Sequence, residues 1–172
     1  ITREQADTFA AASQQKYALA KGEGFFAGEI SPVEMPATRK GPVPPVGEDE
    51  HPRPGSDLGT LAKMKALYEG GVTTAGNASG VNDGAVALVV GSLAAGEKAG
   101  VKPMARVIAS AAMGVPPHIM GIGPVAASKK ALARVGLSIK DMDIIEINEA
   151  FATQVLACLK GLGVAFDDQR VN

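Results

Sequence analysis

Aromatic residues, cysteine and histidine are scarce in this chain of 172 residues, which contains no Trp, one Cys and two His. A single Cys excludes a disulfide framework within the chain and fits a reducing compartment, so we expect a cytoplasmic location. Because only 4% of the residues are aromatic, the core must be built from Ala, Val, Ile, Leu and Met. His51 and His118 have no Cys or acidic residue at ligand spacing, so no metal site is predicted.

The chain also lacks a strong net charge and a long apolar run. Its formal charge is −1, from 17 basic and 18 acidic residues, which provides no electrostatic basis for binding nucleic acid. No apolar run approaches the ~18 residues that a membrane span needs, so we expect no membrane as a partner. A content of 46% hydrophobic and 20% charged residues is typical of one ordinary globular domain or of parts of two.

The first 80 residues combine a helix with a long irregular excursion. Thr2 is typical of a helix N-cap, and the helical pattern that follows it continues to Leu19, with Phe9 and Tyr17 on the apolar side. An edge strand is predicted at 30–35 and a short helix at 58–68. Residues 36–57 contain six Pro and an acidic run, and loops of this length are usually functional or disordered.

The remaining residues have a more regular rhythm, with a boundary predicted near residues 79–81. Small turn residues dominate 70–84, which indicates backbone in close contact with another group. Apolar runs that predict buried strands then alternate with helical patterns, and this alternation favours an α/β layered sheet. The predicted strands lie at 85–90, 105–112 and 141–147, and the predicted helices at 92–99, 124–135 and 151–161.

The end of the last predicted strand carries a candidate site residue, Asn148. A neutral amide between a strand and a helix N-terminus is well placed to stabilise an oxyanion, or a water that does so, because backbone N–H groups and the helix dipole point there. The alternative is an ordinary strand-end or capping residue. Cys158 lies in the middle of the next helix without a basic neighbour, which predicts a small buried hydrophobic residue rather than a nucleophile.

Basic residues in the Pro-rich excursion offer a second candidate site. Arg39, Lys40, His51 and Arg53 would suit a phosphate-rich ligand, although a solvated turn explains them equally well. The Gly-x-Gly at Gly121 superficially matches a dinucleotide fingerprint, but it does not follow a strand directly and Pro is its next residue. A tight loop leading into a helix is the better interpretation.

Three motifs in order resemble the thiolase family, which makes or cleaves 3-ketoacyl-CoA. They are TAGNASGVNDGA at 74–85, MGIGP at 120–124 and NEAFA at 148–152. The resemblance covers essentially the whole chain and implies a thiolase-like layered αβαβα fold, incomplete here. HPRP at 51–54 and RVN at 170–172 look closest to the 3-oxoadipyl-CoA thiolase branch.

The resemblance assigns roles to particular residues. Asn148 resembles the Asn that orders a water in the oxyanion hole for the thioester carbonyl, and Glu149 is expected to fix the loop rather than to act as a base. Coenzyme A is expected as a substrate, with no covalently bound cofactor. The expected contacts with the acyl-CoA come from Arg53 and Thr60 near its phosphates, Tyr68 beside the adenine, Ala75 and Ser79 along the pantetheine, and Met120 and Phe151 at the acyl end.

The family's catalytic Cys residues and the His of its Gly-His-Pro motif have no counterpart here. We therefore expect a middle fragment, inactive alone, whose sheets lack neighbours and leave apolar strand edges exposed. Its expected parts are 1–80 of the loop domain that covers CoA, 81–102 from the N-terminal half, and 103–172 from the C-terminal half. The resemblance implies a homodimer or homotetramer. The alternative function is a thiolase-like CoA or lipid binder without catalysis.

Overall fold

The computed structural model describes all 172 residues and contains five α-helices. Three short 3-10 helices lie between them, at Phe25–Gly28, Pro117–Ile122 and Ile139–Asp141. None of the helices combines the length and the hydropathy that crossing a membrane demands. The α-helices are, in order, α1 (Arg3–Gly22), α2 (Leu58–Ala62), α3 (Leu93–Lys98), α4 (Gly123–Ala133) and α5 (Ala152–Leu162).

The chain divides into two compact units. The first unit comprises residues 1–80 together with 149–153, and the second comprises 81–148 together with 154–172. The functional division proposed from the sequence, into 1–80, 81–102 and 103–172, stays a prediction.

In the first unit, α1 begins where the sequence predicts. The Thr2 hydroxyl accepts from the backbone N–H of Gln5, and the Gln5 side chain accepts from the Thr2 N–H, so two N-terminal donors are satisfied. The buried face of α1 differs from the predicted one. Ala6, Asp7 and Ala11 are buried, whereas the residues of the predicted apolar side are only partly covered.

Two other predictions for the first unit need correction. The predicted edge strand at 30–35 is reduced to one antiparallel bridge, between Val33 and Val46. Helix α2 is capped by Asp57 as its sequence context allows, but it ends at Ala62 instead of reaching residue 68. Its residue Leu61 is fully buried, so even this short helix supplies a core contact.

In the second unit, helix starts and stops follow local signals. Ser92 caps α3, and Gly100 and Gly136 adopt the positive φ values of 68° and 69° that favour glycine after a helix end. Helix α5 carries most of the buried apolar residues. Val155, Leu156, Cys158 and Leu159 are each at most 1% exposed, which confirms the prediction of a buried Cys158.

The predicted strands of the second unit are not formed as paired strands. Residues 85–90 and 105–112 have no backbone hydrogen bond to another segment, and Val89 is fully exposed rather than buried. The predicted strand at 141–147 is reduced to one parallel bridge between Ile145 and Val171. A strand needs a neighbouring strand to satisfy its N–H and C=O groups, and no other segment of this chain pairs with 85–90 or 105–112. Apolar residues are exposed as expected, but on irregular unpaired backbone rather than on strand edges.

Candidate functional site

A cavity of about 490 Å³ lies in the first unit. Its lining residues come from α1, the Pro-rich segment, α2 with the residues just after it, and the small-residue loop at 75–78. The cavity brings together three of the predicted substrate-binding residues, Arg53, Thr60 and Ala75. Its remaining lining residues are Gln14, His51, Pro54, Gly55, Ser56, Met64, Gly76 and Ala78.

The backbone around Arg53 is held by its own guanidinium group. One terminal nitrogen donates to the carbonyl oxygens of Glu50, His51 and Pro52 at 2.6, 2.9 and 3.0 Å. The Arg53 N–H donates to the side-chain oxygen of Gln14 on α1 at 2.7 Å. The Nε–H and the second terminal nitrogen have no protein partner. They remain available for an anionic ligand, which guanidinium groups bind in a bidentate manner.

The loop part of the cavity lining contains Gly76. No larger residue can replace it without displacing neighbouring side chains. A Cβ atom there would lie 2.4 Å from Cδ2 of Leu61 and 2.6 Å from Sδ of Met64. Leu61 is fully buried, so it has little room to move. The absence of a side chain at Gly76 is thus required by the packing of the loop on α2. This reason differs from the predicted close approach of a ligand to the small residues of this segment.

Tyr68, Ser79 and Phe151 lie in the first unit but do not line the cavity. Tyr68 is 77% exposed. Phe151 forms an antiparallel bridge with Ala78, and the Ser79 N–H donates to the Ala150 carbonyl at 3.0 Å. Because Ala78 does line the cavity, this bridge places Ser79 and Phe151 directly beside a lining residue.

The segment after Asn148 is anchored by side-chain and backbone contacts. The Ser13 hydroxyl donates to a carboxylate oxygen of Glu149 at 2.6 Å, and the Ala152 N–H donates to the Asn77 carbonyl at 2.9 Å. Glu149 thus fixes the loop, as the sequence predicts. The interpretation of Asn148 as the residue just before a helix needs correction. Helix α5 begins at Ala152, one residue after the predicted start at 151, because Phe151 pairs with Ala78, so three residues separate Asn148 from the helix.

Asn148 and Met120 lie in the second unit. Asn148 is exposed in irregular backbone that follows the Ile145 bridge, and no protein group binds its amide. The side chain of Asn172 donates to Glu146 at 2.7 Å, which ties down the segment that leads to Asn148. Met120 is 77% exposed within the 3-10 helix at Pro117–Ile122.

Cys158 also lies in the second unit. Its thiol donates to the Gly121 carbonyl at 3.3 Å, and burial raises the pKa of the thiol. A raised pKa keeps the group protonated at neutral pH, and the thiol is a poor nucleophile in that form. The structure therefore supports the prediction that Cys158 is not a catalytic residue.

Sequence reasoning found part of the cavity and missed part of it. His51 and Arg53, grouped as possible phosphate ligands, both line the cavity, whereas Arg39 and Lys40 do not. Gln14 was missed because polar residues are common on helices that face solvent. Nothing in the neighbouring sequence marks this one as part of a binding site. Met64 was missed because the sequence does not show that α2 ends before it.

Comparison with known proteins shows the family to which the chain belongs. The chain matches the model of "Thiolase, N-terminal domain" over residues 1–94 and that of "Thiolase, C-terminal domain" over residues 101–172. Among solved structures, Bacillus anthracis acetyl-CoA acetyltransferase superposes with a TM-score of 0.93 at 41% identity, covering all of this chain and 43% of its own. The fold is therefore a thiolase fold, present here in part. The chain belongs to the thiolase family.

Two further relatives add detail. The beta-ketoadipyl-CoA thiolase of Pseudomonas aeruginosa is 53% identical over 173 aligned positions, which cover all of this chain and 43% of that protein. Human mitochondrial 3-ketoacyl-CoA thiolase, solved in complex with CoA, is 42% identical with a TM-score of 0.88, over 99% of this chain and 41% of its own. The chain thus spans less than half the length of these relatives.

Proposed function

We propose that this chain is part of a thiolase that cleaves or forms a 3-ketoacyl-CoA by Claisen chemistry through an acyl-cysteine intermediate. In this proposal the nucleophilic Cys and the His of the Gly-His-Pro motif belong to residues outside this chain. The 172 residues contribute much of the CoA-binding loop domain and one group of the oxyanion site. The relatives named above are thiolases, and this supports catalysis over the alternative of a CoA- or lipid-binding module without activity.

The observation that carries the proposal is the cavity of the first unit. Its polar lining residues include His51, Arg53 and Thr60, whose donors suit the phosphate end of coenzyme A. Its lining also includes Ala75, Gly76 and Ala78, whose small size leaves room for a narrow pantetheine arm. Polar and small apolar lining residues in one cavity match the two chemically different ends of this substrate.

The remaining predicted residues complete the proposed site. Ser79 contacts the pantetheine amide, Tyr68 flanks the adenine, and Met120 and Phe151 shape the acyl end. The amide of Asn148 orders a water that donates to the thioester oxygen and stabilises the enolate as negative charge develops. The exposure of Asn148 supports the assignment, since its amide is accessible to a water.

We further propose a dicarboxylic 3-ketoacyl-CoA of the 3-oxoadipyl type as substrate, which would place the enzyme in aromatic degradation. The support is the function of two relatives. The Pseudomonas aeruginosa protein is a beta-ketoadipyl-CoA thiolase, and a thiolase of Escherichia coli that acts on 3-oxoadipyl-CoA is 49% identical over the whole of this chain. A cytoplasmic homodimer or homotetramer is proposed on the family resemblance and the reducing compartment indicated by a single Cys.

The experiment is CoA binding and thiolysis by the full-length protein expressed from its gene. We expect thiolysis of 3-oxoadipyl-CoA, and loss of CoA affinity when Ala75→Trp fills the cavity. Ser79→Trp should also weaken binding, because the indole would block the proposed path of the pantetheine. His118→Ala, at a residue that is not among those lining the cavity, serves as the control and should bind as the wild type does.

The outcomes separate the proposals. CoA binding without thiolysis of any 3-ketoacyl-CoA would support the binding module and contradict the enzyme. Turnover of acetoacetyl-CoA but not of 3-oxoadipyl-CoA would contradict the substrate proposal alone. The 172-residue chain by itself is expected to show no turnover, because it contains neither the proposed nucleophile nor the proposed base.

A further inference from the structure

The first unit contains a network of buried polar side chains that does not line the cavity. Asp7 and Asn77 are each 3% exposed and Thr74 is fully buried. The Arg3 guanidinium pairs with one carboxylate oxygen of Asp7 at 2.7 Å, and the Asn77 amide donates to the other at 2.8 Å. The Asp7 carboxylate thus links α1 to the loop that contains Asn77, 70 positions away in the sequence.

On one side, the network reaches the end of α2. The second terminal nitrogen of Arg3 donates to the carbonyl oxygens of Leu61 at 2.5 Å and Met64 at 2.9 Å. These two carbonyls lie where α2 stops, and the Leu61 carbonyl also accepts from the Met64 N–H at 3.0 Å, so Arg3 adds a second donor at the helix end. Arg3 thereby fixes the backbone that presents Met64 to the cavity.

On the other side, the network reaches the small-residue loop. The Asn77 side chain accepts from the Thr74 N–H at 2.8 Å and donates to the Val72 carbonyl at 3.0 Å. The Thr74 hydroxyl accepts from the Gly76 N–H at 3.2 Å. Both the oxygen and the nitrogen of the Asn77 amide are therefore hydrogen-bonded. The amide fixes the backbone of the loop whose residues Gly76 and Ala78 line the cavity.

Stability alone does not explain this arrangement. A buried ion pair is frequently no more stabilising than apolar residues of the same volume, whereas a network with one member missing is costly. What such a network does supply is a defined geometry between the segments it joins. Here it joins two parts of the cavity lining, the α2 wall (Thr60 and Met64) and the loop wall (Ala75, Gly76 and Ala78), which meet where Gly76 packs on Leu61.

We propose that Arg3, Asp7 and Asn77 are positioning residues that set the separation of the two cavity walls and thereby the affinity for a CoA-type ligand. The identity of the ligand rests on the proposed function, whereas the positioning of the walls does not. The residues act at a distance from the ligand, since none of the three lines the cavity.

The test uses Asp7→Asn in the full-length protein, with hydrogen–deuterium exchange and CoA titration as two independent measurements. Exchange should rise in residues 58–64 and 72–78 together, because the group that holds both walls is lost. The Kd for CoA should rise by roughly tenfold, as expected for one buried hydrogen bond. At saturating CoA, kcat should stay within about twofold of the wild type, since no reacting group is changed.

Two controls separate positioning from a general loss of stability. Val155→Ala removes fully buried apolar volume from the second unit, and it should lower stability without raising the Kd for CoA. The double variant Asp7→Asn with Asn77→Asp exchanges carboxylate and amide across the same contact, and it should recover part of the affinity. If Asp7→Asn does not fold, Arg3→Lys keeps the charge but cannot span both carbonyls, and it should give the same exchange pattern.

Each result has a definite meaning. Unchanged exchange in both walls, or equal effects of Asp7→Asn and Val155→Ala on the Kd at matched stability, would overturn the positioning role. Absence of CoA binding by the wild type would instead overturn the proposed function. In that case the exchange pattern of the two walls still decides the role of the network.

Discussion

The two units of the chain differ in how completely their backbone groups are satisfied. In the first unit, long-range contacts run largely through side chains. Arg3 holds two carbonyls at the end of α2, and Asn77 holds a loop. In the second unit, Arg170 likewise holds two carbonyls and α5 supplies most of the core, but residues 85–90 are apolar, exposed and without a backbone hydrogen bond. The contrast shows that a loop region can be specified by its own polar side chains, whereas an extended apolar segment depends on partner strands.

The largest expected effects come from removing core volume in each unit. Leu159→Ala and Leu61→Ala each delete a fully buried side chain and should lower the free energy of unfolding by about 2–5 kcal/mol. Only Leu61→Ala should also weaken CoA binding, because Leu61 supports the loop wall at Gly76. Urea denaturation and CoA titration measure the two effects. Equal losses of CoA affinity in both variants would remove the distinction between the units.

A glycine in each unit sharpens the comparison with a smaller change. At Gly161 in α5, a Cβ would lie 2.9 Å from Cγ2 of Val125, so Gly161→Ala should overpack the contact with α4 and destabilise the protein by about 1–3 kcal/mol. At Gly22, the last residue of α1, a Cβ would meet no atom within 4 Å. Gly22→Ala should therefore stabilise by about 0.5–1 kcal/mol. Thermal unfolding of both variants tests the opposite signs.

A pH-dependent contribution is expected in the second unit from Asp168. Hydrogen bonds from Arg170 lower the pKa of this carboxyl from its usual 3.8 to about 2. Since the folded pKa is depressed, the contribution is present in full above the unfolded pKa, and it is lost as the pH falls through the folded pKa. The urea midpoint of Asp168→Asn should thus lie below that of the wild type at pH 7, and the two should converge between about pH 4 and pH 2.

The matched control for this pH effect is Asp83→Asn, which neutralises an exposed carboxylate in the same unit. Its midpoint should follow that of the wild type across the same pH range. A difference between wild type and Asp168→Asn that persists undiminished to pH 2 would show that the ion pair with Arg170 is not its source.

The smallest effect is expected from an exposed ion pair in the first unit. Lys21 and Glu48 lie 2.9 Å apart, and their side chains are 48% and 77% exposed. Solvent and salt screen such a pair, so Lys21→Ala should leave the urea midpoint unchanged within error. Arg3→Ala, which breaks the ion pair to buried Asp7, should lower the midpoint clearly. Similar effects of the two variants would contradict the special role assigned to the buried network.

Local signals explain which parts of the fold could be predicted. Thr2 and Ser92 cap helices through their own hydroxyl groups, and Gly100 and Gly136 end them, so these boundaries follow from a few neighbouring residues. Strand pairing is not local. Residues 85–90 have every property of a buried strand, yet what they pair with cannot be inferred from their own composition.

The candidate site shows the same division between local and long-range information. Arg53, Thr60 and Ala75 were proposed from motifs that resemble a known family, and the structure brings them to one cavity. The buried pairing of Asp7 with Asn77 joins residues 70 positions apart, and no pattern of spacing reveals it. The place of Phe151 outside α5 was missed for the same reason, because it results from the bridge between Phe151 and Ala78.

The exposed segment at 85–90 has a consequence for production of the protein. Its sequence, AVALVV, combines high β-propensity with no charge and no Pro, which are the properties of segments that stack into aggregates. During synthesis this segment is exposed before any partner strand covers it, so segments of other nascent copies can pair with it. The yield of soluble protein should thus depend on how quickly this segment is covered, and slower synthesis or a chaperone that binds extended apolar peptides should raise it.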